Sequence, residues 1–199
     1  MAQKDGYHHG DLRAALLREG HALLAERGSD AFSLNELARR VGVSTAAPYR
    51  HFPDRDHLID AIADDGYVIF GDALIAAVAG ASDEGAAVCG ILLAYLDFAV
   101  EHAAYFSVMF RDRGERPNEV GAGTFMTFAD AIVAAQASGH LDPSADPRAL
   151  GRALWAGVHG AAVLEASGGF VKLGLDVPHE QLVEEIVGLY LRSPAVAVR

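Results

Sequence analysis

One cysteine, Cys89, stands among 199 residues. No internal disulfide is possible, and a reducing compartment is expected. No run approaches the roughly 18 uninterrupted apolar residues of a membrane span. The opening residues, Met1 to His9, lack the apolar stretch of a secretory signal. Positive charge is scarce too: 16 Lys and Arg against 27 Asp and Glu leave a net charge of −11. These shortages disfavour secretion, membrane insertion and a disulfide scaffold, and they read as a cytoplasmic protein without a membrane partner. Apolar residues are plentiful, at 51% of the chain. That is enough to bury a core in one or two domains.

Charge is unevenly placed. Residues 1–60 hold eight Lys and Arg against nine Asp and Glu, whereas residues 61–199 hold eight against eighteen. Most of the chain would repel nucleic acid. Within residues 39–57 the balance reverses, with Arg39, Arg40, Arg50 and Arg55 facing only Asp54 and Asp56. A basic island on an acidic body suits phosphate contact over a small footprint. A solvated mixed-charge surface is the plainer alternative.

Apolar spacing is helical throughout. Leu12, Leu16, Leu23 and Leu24 share one side of residues 10–27, and Gly28 is a natural stop. Ser33-Leu34-Asn35-Glu36 is a capping box, in which the serine hydroxyl accepts from the third helical residue and the glutamate reaches back. The helix that follows carries Leu37, Ala38 and Val41 and stops at Gly42. Ser44 then caps a short helix over 45–51. Asp54 caps a long one through Leu58, Ile59, Ile62, Tyr67 and Phe70 to about Val78, kinked near Gly66 and Gly71. From Asp83 to about Phe106, the residues Val88, Leu92, Tyr95, Ala99, His102 and Phe106 form one stripe. Further helices are expected over 119–138 and 147–167, and from Pro178 to about Arg192, with a break at Gly168 and Gly169. The fold class is therefore all-α, with about nine helices. The expected division is residues 7–53 and residues 54–192.

The informative span is 33–52. A capped helix, a glycine turn and a second short helix have helix-turn-helix spacing. In such a unit the second helix enters the major groove, and its free N–H groups suit phosphate. A plain helical hairpin is the alternative. The segments Ser33-Leu34-Asn35-Glu36-Leu37-Ala38, Val41-Gly42-Val43-Ser44 and Tyr49-Arg50-His51-Phe52-Pro53-Asp54-Arg55-Asp56-His57-Leu58 carry a specific register. With Tyr7-His8-His9-Gly10-Asp11-Leu12-Arg13 ahead of them, they resemble the N-terminal DNA-binding domain of the tetracycline-repressor (TetR) family. The likeness covers about residues 7–60. Beyond it, Leu154-Trp155-Ala156-Gly157-Val158-His159-Gly160 is similar to a Trp-x-x-x-His-Gly segment of one branch.

The resemblance implies a three-helix DNA-binding domain joined to a C-terminal bundle for effector binding and dimerisation. It implies that Ser33 and Ser44 hold phosphates and that Thr45, Ala46 and Tyr49 face the groove. His51 and Arg55 would contact backbone phosphate, and Arg50 of the basic island joins the DNA-binding set. Only base-edge contacts specify sequence, so small Thr45 and Ala46 imply readout by thymine-methyl contact and shape. Two departures stand out. Pro48 replaces an apolar residue in the recognition helix, where a stiffened or slightly distorted start is expected. Thr45 stands where a lysine or glycine-type neighbour is frequent.

Tyr95, Phe98, His102, Phe106, Met109, Phe125, Phe128, Trp155 and His159 could line an apolar effector cavity, or be ordinary core. Leu154, Val158 and Ala161 make one stripe, and Leu182, Ile186 and Leu189 another. The resemblance points to these as a four-helix dimer interface on a two-fold axis. The reading is a ligand-responsive, sequence-specific transcriptional regulator, a repressor by family habit, acting as a homodimer on a pseudo-palindromic operator. Its partners are double-stranded DNA, a second copy and a small apolar or aromatic effector.

The rivals are an all-α enzyme and a small-molecule sensor that has lost DNA contact. The enzyme lacks support: there is no Gly-x-Ser-x-Gly elbow, His-Glu-x-x-His, phosphate loop or Cys-x-x-Cys. Asp64 with Asp65, and Glu184 with Glu185, are adjacent pairs pointing to different helix faces. No cofactor, catalytic residue or metal site is read, and His8-His9 reads as surface.

Overall fold

A computed structural model describes residues 9–28 and 33–191, with side chains described over 12–28 and 33–188. Tyr7 and His8, the side chains of His9 and Asp11, the Leu189 side chain and the tail from Pro194 lie outside the described residues. Among those described, helical spacing becomes nine α-helices and one 3-10 turn, without a strand. They are α1 (His9–Arg27), α2 (Leu34–Val41), the turn Pro48–Arg50, α3 (Arg55–Ala79), α4 (Glu84–Glu101), α5 (Ala103–Met109), α6 (Glu119–Ala137), α7 (Pro147–Ala166), α8 (Gly169–Leu173) and α9 (His179–Leu191).

The chain forms two compact units. The first joins Met1–Gly66 to Ala104–Asn118, and the second joins Tyr67–Ala103 to Glu119–Arg199. The division falls inside α3, whereas the sequence reading placed it before Asp54.

In the first unit the leucine side of α1 meets α2 and the start of α3. Leu16, Leu23, Leu37, Leu58, Ile59 and Ile62 are fully buried there, with Met109 of α5. Two ion pairs tie α1 to α2: Arg40 to Glu26 at 2.6 Å and Arg27 to Glu36 at 2.8 Å. Both are surface pairs, worth little each. Gly66 brings helices together: a Cβ there would lie 3.0 Å from Tyr105 and from the Met109 sulfur. Helix α3 runs unbroken through Gly66 and Gly71. The glycine at 66 makes room for a neighbour.

In the second unit α4 packs on α6, α7 and α9 at once. Asp83 caps it, accepting from the Ala86 N–H at 2.8 Å. Ile91, Leu92, Leu96, Ile132, Leu154 and Val158 are buried around it. The single helix expected from Asp83 to Phe106 is corrected to two, because α4 ends at His102 (φ −119, ψ 38). Hydrophobic spacing continues across that break, so the stripe alone could not reveal it. The glycine break at 168–169 instead opens a five-residue helix, α8. By length and composition α6 alone among the described helices could cross a bilayer. Its Phe128, Ala131, Ile132 and Ala135 are buried inside this unit, as in a core helix.

At the start of α9, His179 places Nδ1 2.7 Å from Asp97 of α4 and Nε2 2.9 Å from Glu165 of α7. Desolvation pulls this imidazole down, but hydrogen bonds to Asp97 and Glu165 outweigh it and leave the pKa raised. The protonated form therefore stabilises the folded state below the unfolded histidine pKa. That contribution is lost as pH rises through the higher folded value. Urea unfolding is expected to show lower stability at about pH 8 than at about pH 6. His179→Gln should flatten that difference, and an equal pH response in the variant would refute the assignment.

Candidate nucleic-acid interface and aromatic box

Helix α2 starts at Ser33, whose extended backbone (φ −127, ψ 158) lets Oγ accept from the Glu36 N–H at 3.2 Å. The Glu36 carboxylate takes Arg27. Gly42 ends the helix in the left-handed region, φ 78. A side chain there would be strained. The Gly42 N–H returns to Arg39 O and the Val43 N–H to Ala38 O at 2.9 Å, which satisfies the last carbonyls. Ala38 is fully buried, and its small side chain permits the tight turn.

The short α-helix expected over 45–51 is corrected. Residues 44–51 form successive tight turns that close in the 3-10 turn Pro48–Arg50. Pro48 has no N–H for the Ser44 carbonyl four places back. That carbonyl takes the Ala47 N–H instead, at 2.9 Å, and Ala47 O takes Arg50 N–H at 3.2 Å. Three-residue spacing winds the segment more tightly than an α-helix. The effect of Pro48 is thus larger than the distorted start expected from sequence.

Pro48 and Phe52 are buried, and the Arg13 guanidinium sits over the Phe52 ring at 5.4 Å. Anchored this way, the turn leaves Ser44, Thr45, Ala46 and Arg50 exposed and Tyr49 50% exposed. Ser33 is exposed, while His51 and Arg55 are half-buried. Arg55 lies 3.9 Å from Asp56. Asp54 caps α3, accepting from the His57 N–H at 2.9 Å. Hydrogen bonds from the His57 ring and backbone hold its carboxyl below the usual range.

Sequence reasoning missed the charge network on α3. Asp56, Asp60 and Asp64 repeat every fourth residue, so they share a face close to the DNA-facing turn. Alone they would repel phosphate. Arg111 donates to Asp60 at 2.7 Å and to Asp56 at 3.4 Å. Arg113 donates to Asp64 at 2.8 Å, and Arg116 donates to Asp60. Burial alone would raise the Asp60 carboxyl, but Arg111 and Arg116 outweigh it and hold it low. The only hints in sequence were the fourfold aspartate spacing and the Arg-Asp-Arg-Gly-Glu-Arg run, far apart in the chain.

The second unit holds an aromatic box. Tyr95 meets Phe70 edge-on at 5.1 Å, and Phe70 lies 5.0 Å from Phe98, which lies 4.9 Å from His102. Across the box, Phe125 is 6.2 Å from Phe128 and 5.7 Å from Trp155. Tyr95 Oη lies 2.8 Å from His159 Nδ1. Burial pushes the Tyr95 hydroxyl up, and a bond from Trp155 opposes this. Burial also lowers the His159 pKa. The indole can only donate, so the Tyr95 hydroxyl keeps its own proton available for His159 Nδ1 when that nitrogen is unprotonated. Trp155 and Phe125 remain 38% and 40% exposed, so the box opens to solvent there.

Two expected members are not brought to this box. Phe106 pairs with Phe110 at 5.4 Å, and Met109 is buried beside Gly66, both in the first unit. The break at His102 separates them from Tyr95 and Phe98. The residues expected at a dimer interface fare unevenly, with the Leu189 side chain outside the described residues. Leu154, Val158, Ala161 and Ile186 are buried within the single chain, and Leu182 is half-buried. Leu154 and Val158, fully covered by their own protomer, leave a partner little side-chain surface. Apolar groups that do stay exposed include Val163, Leu164, Val171, Leu173 and Leu175 on and beside α7 and α8.

No curated protein matches the chain. The sequence model for the C-terminal domain of tetracyclin repressor-like proteins matches residues 88–190. That for bacterial regulatory proteins of the tetR family matches residues 16–62. Among solved structures, a protein of unknown function from Rhodococcus sp. RHA1 is 33% identical, with TM-score 0.79 over 95% of this chain and 98% of that one. A transcriptional regulator of the TetR/AcrR family from Thermobifida fusca YX-ER1 is 20% identical, with TM-score 0.64 over 95% and 99%. The regulator FadR from Bacillus subtilis, in complex with stearoyl-CoA, is 11% identical, with TM-score 0.71 over 92% and 99%. With a capped α2, a glycine turn and an outward-facing recognition turn ahead of a matching helical C-terminal domain, the chain belongs to the tetR family of bacterial regulatory proteins and is a DNA-binding transcriptional regulator.

Proposed function

We propose that the protein is a ligand-responsive repressor that binds a pseudo-palindromic operator as a homodimer, in the compartment that holds the DNA. The observation that carries the DNA-facing assignment is the outward presentation of Thr45, Ala46 and Tyr49 on a turn anchored by buried Pro48 and Phe52. Tyr49, Thr45 and Ala46 read the groove. Ser33, Ser44, Arg50, His51 and Arg55 position the turn on phosphate. Loss of a base-edge contact costs about 1–3 kcal/mol. In a mobility-shift titration, Tyr49→Ala is expected to weaken operator binding about tenfold or more and to relax specificity. Arg50→Ala should lower the salt slope by about one instead. Absence of any sequence-selective complex at low salt would sink the reading.

The effector enters the aromatic box through Trp155 and Phe125. Aromatic walls around the Tyr95–His159 pair suit an apolar body with a polar end. The FadR of like fold is in complex with stearoyl-CoA, and an acyl chain is one body such walls accept. Effector binding favours a dimer geometry whose recognition turns no longer match successive grooves, so operator affinity falls. The second copy docks on the exposed apolar residues of α7 and α8. Trp155 is the only tryptophan, so its emission reports the box. A saturable emission change on titration with an acyl or aromatic ligand is expected, in step with operator release. Release without an emission change would place the effector elsewhere.

A further inference from the structure

A second recess lies in the first unit, where α1, α3 and α5 meet, with a volume of about 360 Å³. It shares no residue with the aromatic box. It is at the small end of the range for small-molecule sites. Leu17 of α1 and Ile62 of α3 give it an apolar floor. Tyr105 of α5 and His21 of α1 form a stacked wall, ring centroids 4.0 Å apart and 22° from parallel. The wall is firm because Tyr105 already lies against α3 at Gly66, where a Cβ would come within 3.0 Å.

The recess also carries charge of both signs. Arg18 of α1 and Asp65 of α3 both line it. Both side chains are exposed to solvent, so each is open to a ligand. Arg13 and His21 act on Asp65 only through space, and partial burial pushes its carboxyl above the usual range. A cation and an anion lining one recess with an apolar floor suit a ligand that carries both complementary charges.

We propose that this recess binds a small zwitterion with an apolar body, an amino-acid-like molecule whose carboxylate meets Arg18 and whose ammonium meets Asp65. Leu17, Ile62 and the Tyr105–His21 wall take its side chain. The site tethers α1 to α3 and α5 inside the DNA-binding unit. The Trp155 box plays no part in it.

The test is calorimetric titration of the full chain with L-phenylalanine, 3-phenylpropanoate and 2-phenylethylamine. L-Phenylalanine is expected to bind saturably with a Kd of about 1 mM or below. Each half-ligand should bind about tenfold weaker or less. Arg18→Gln should reduce L-phenylalanine to the level of the amine, and Asp65→Asn to the level of the carboxylate. Both side chains are exposed, so both variants should keep the parent's unfolding midpoint. No saturable binding, or parent-like binding by both variants, overturns the proposal. So does binding that is lost in Trp155→Ala but kept in both recess variants, which would assign the ligand to the aromatic box.

Discussion

Asp60→Ala is expected to destabilise the first unit by about 3–5 kcal/mol, the usual cost of removing one partner from a buried ionic network. Asp60 is 11% exposed and accepts from Arg111 and Arg116, with Arg113 3.7 Å away and itself only 5% exposed. Without the carboxylate, Arg113 still donates to Asp64, but three guanidiniums share a site with one charge fewer. The loss is uneven by design of the network: Arg111 retains Asp56, whereas Arg116 keeps only more distant charges. Asp60→Asn preserves shape and an acceptor, so it should cost less than the alanine variant. Denaturant unfolding followed by circular dichroism checks both. A change below about 1 kcal/mol for Asp60→Ala would show that the network is a solvated surface cluster. The pH response has the opposite sign to that of His179. Because the Asp60 pKa is depressed on folding, its contribution is present above the unfolded carboxylate value near about 4. It is lost as pH falls through the folded one.

Leu154→Ala should lower the stability of the second unit by about 2–5 kcal/mol, through lost burial plus the cavity left behind. Leu154 is fully buried within one chain, under α4. Its loss should therefore act on each protomer, and the fall in unfolding midpoint should be the same at low and high protein concentration. An interface residue behaves differently, since dimer stability depends on concentration. Leu164→Arg on the exposed side of α7 supplies the contrast: little change in protomer stability and a weakened dimer by sedimentation. A concentration-dependent Leu154→Ala effect would restore the interface reading of that stripe.

These two positions mark where reading the chain alone stops. Helical periodicity showed that Leu154, Val158 and Ala161 face one way, but not whether a neighbouring helix or a second protomer covers them. Likewise, Asp56, Asp60 and Asp64 were visible as single charges, and Arg111, Arg113 and Arg116 as others. Nothing within four residues of either set announces that they meet. The recognition turn failed for another reason. Pro48 was noticed, yet the outcome depended on whether the Ser44 carbonyl could find another donor, and Ala47 supplied it. The aromatic box was half legible: Tyr95, Phe98, Phe125, Phe128, Trp155 and His159 come together, while the break at His102 leaves Phe106 and Met109 in the other unit.

By itself the chain determined the all-helical class, the Ser33 and Asp54 caps, the Gly42 turn and the outward-facing residues that follow it. Each of these rests on contacts three or four residues apart, or on a backbone angle only glycine adopts easily. The tertiary structure alone decided which arginines neutralise the α3 aspartates, which apolar stripes become core, and which aromatics share a box. Those outcomes depend on where distant segments arrive. Burial and charge pairing reward proximity in space, which local spacing does not encode.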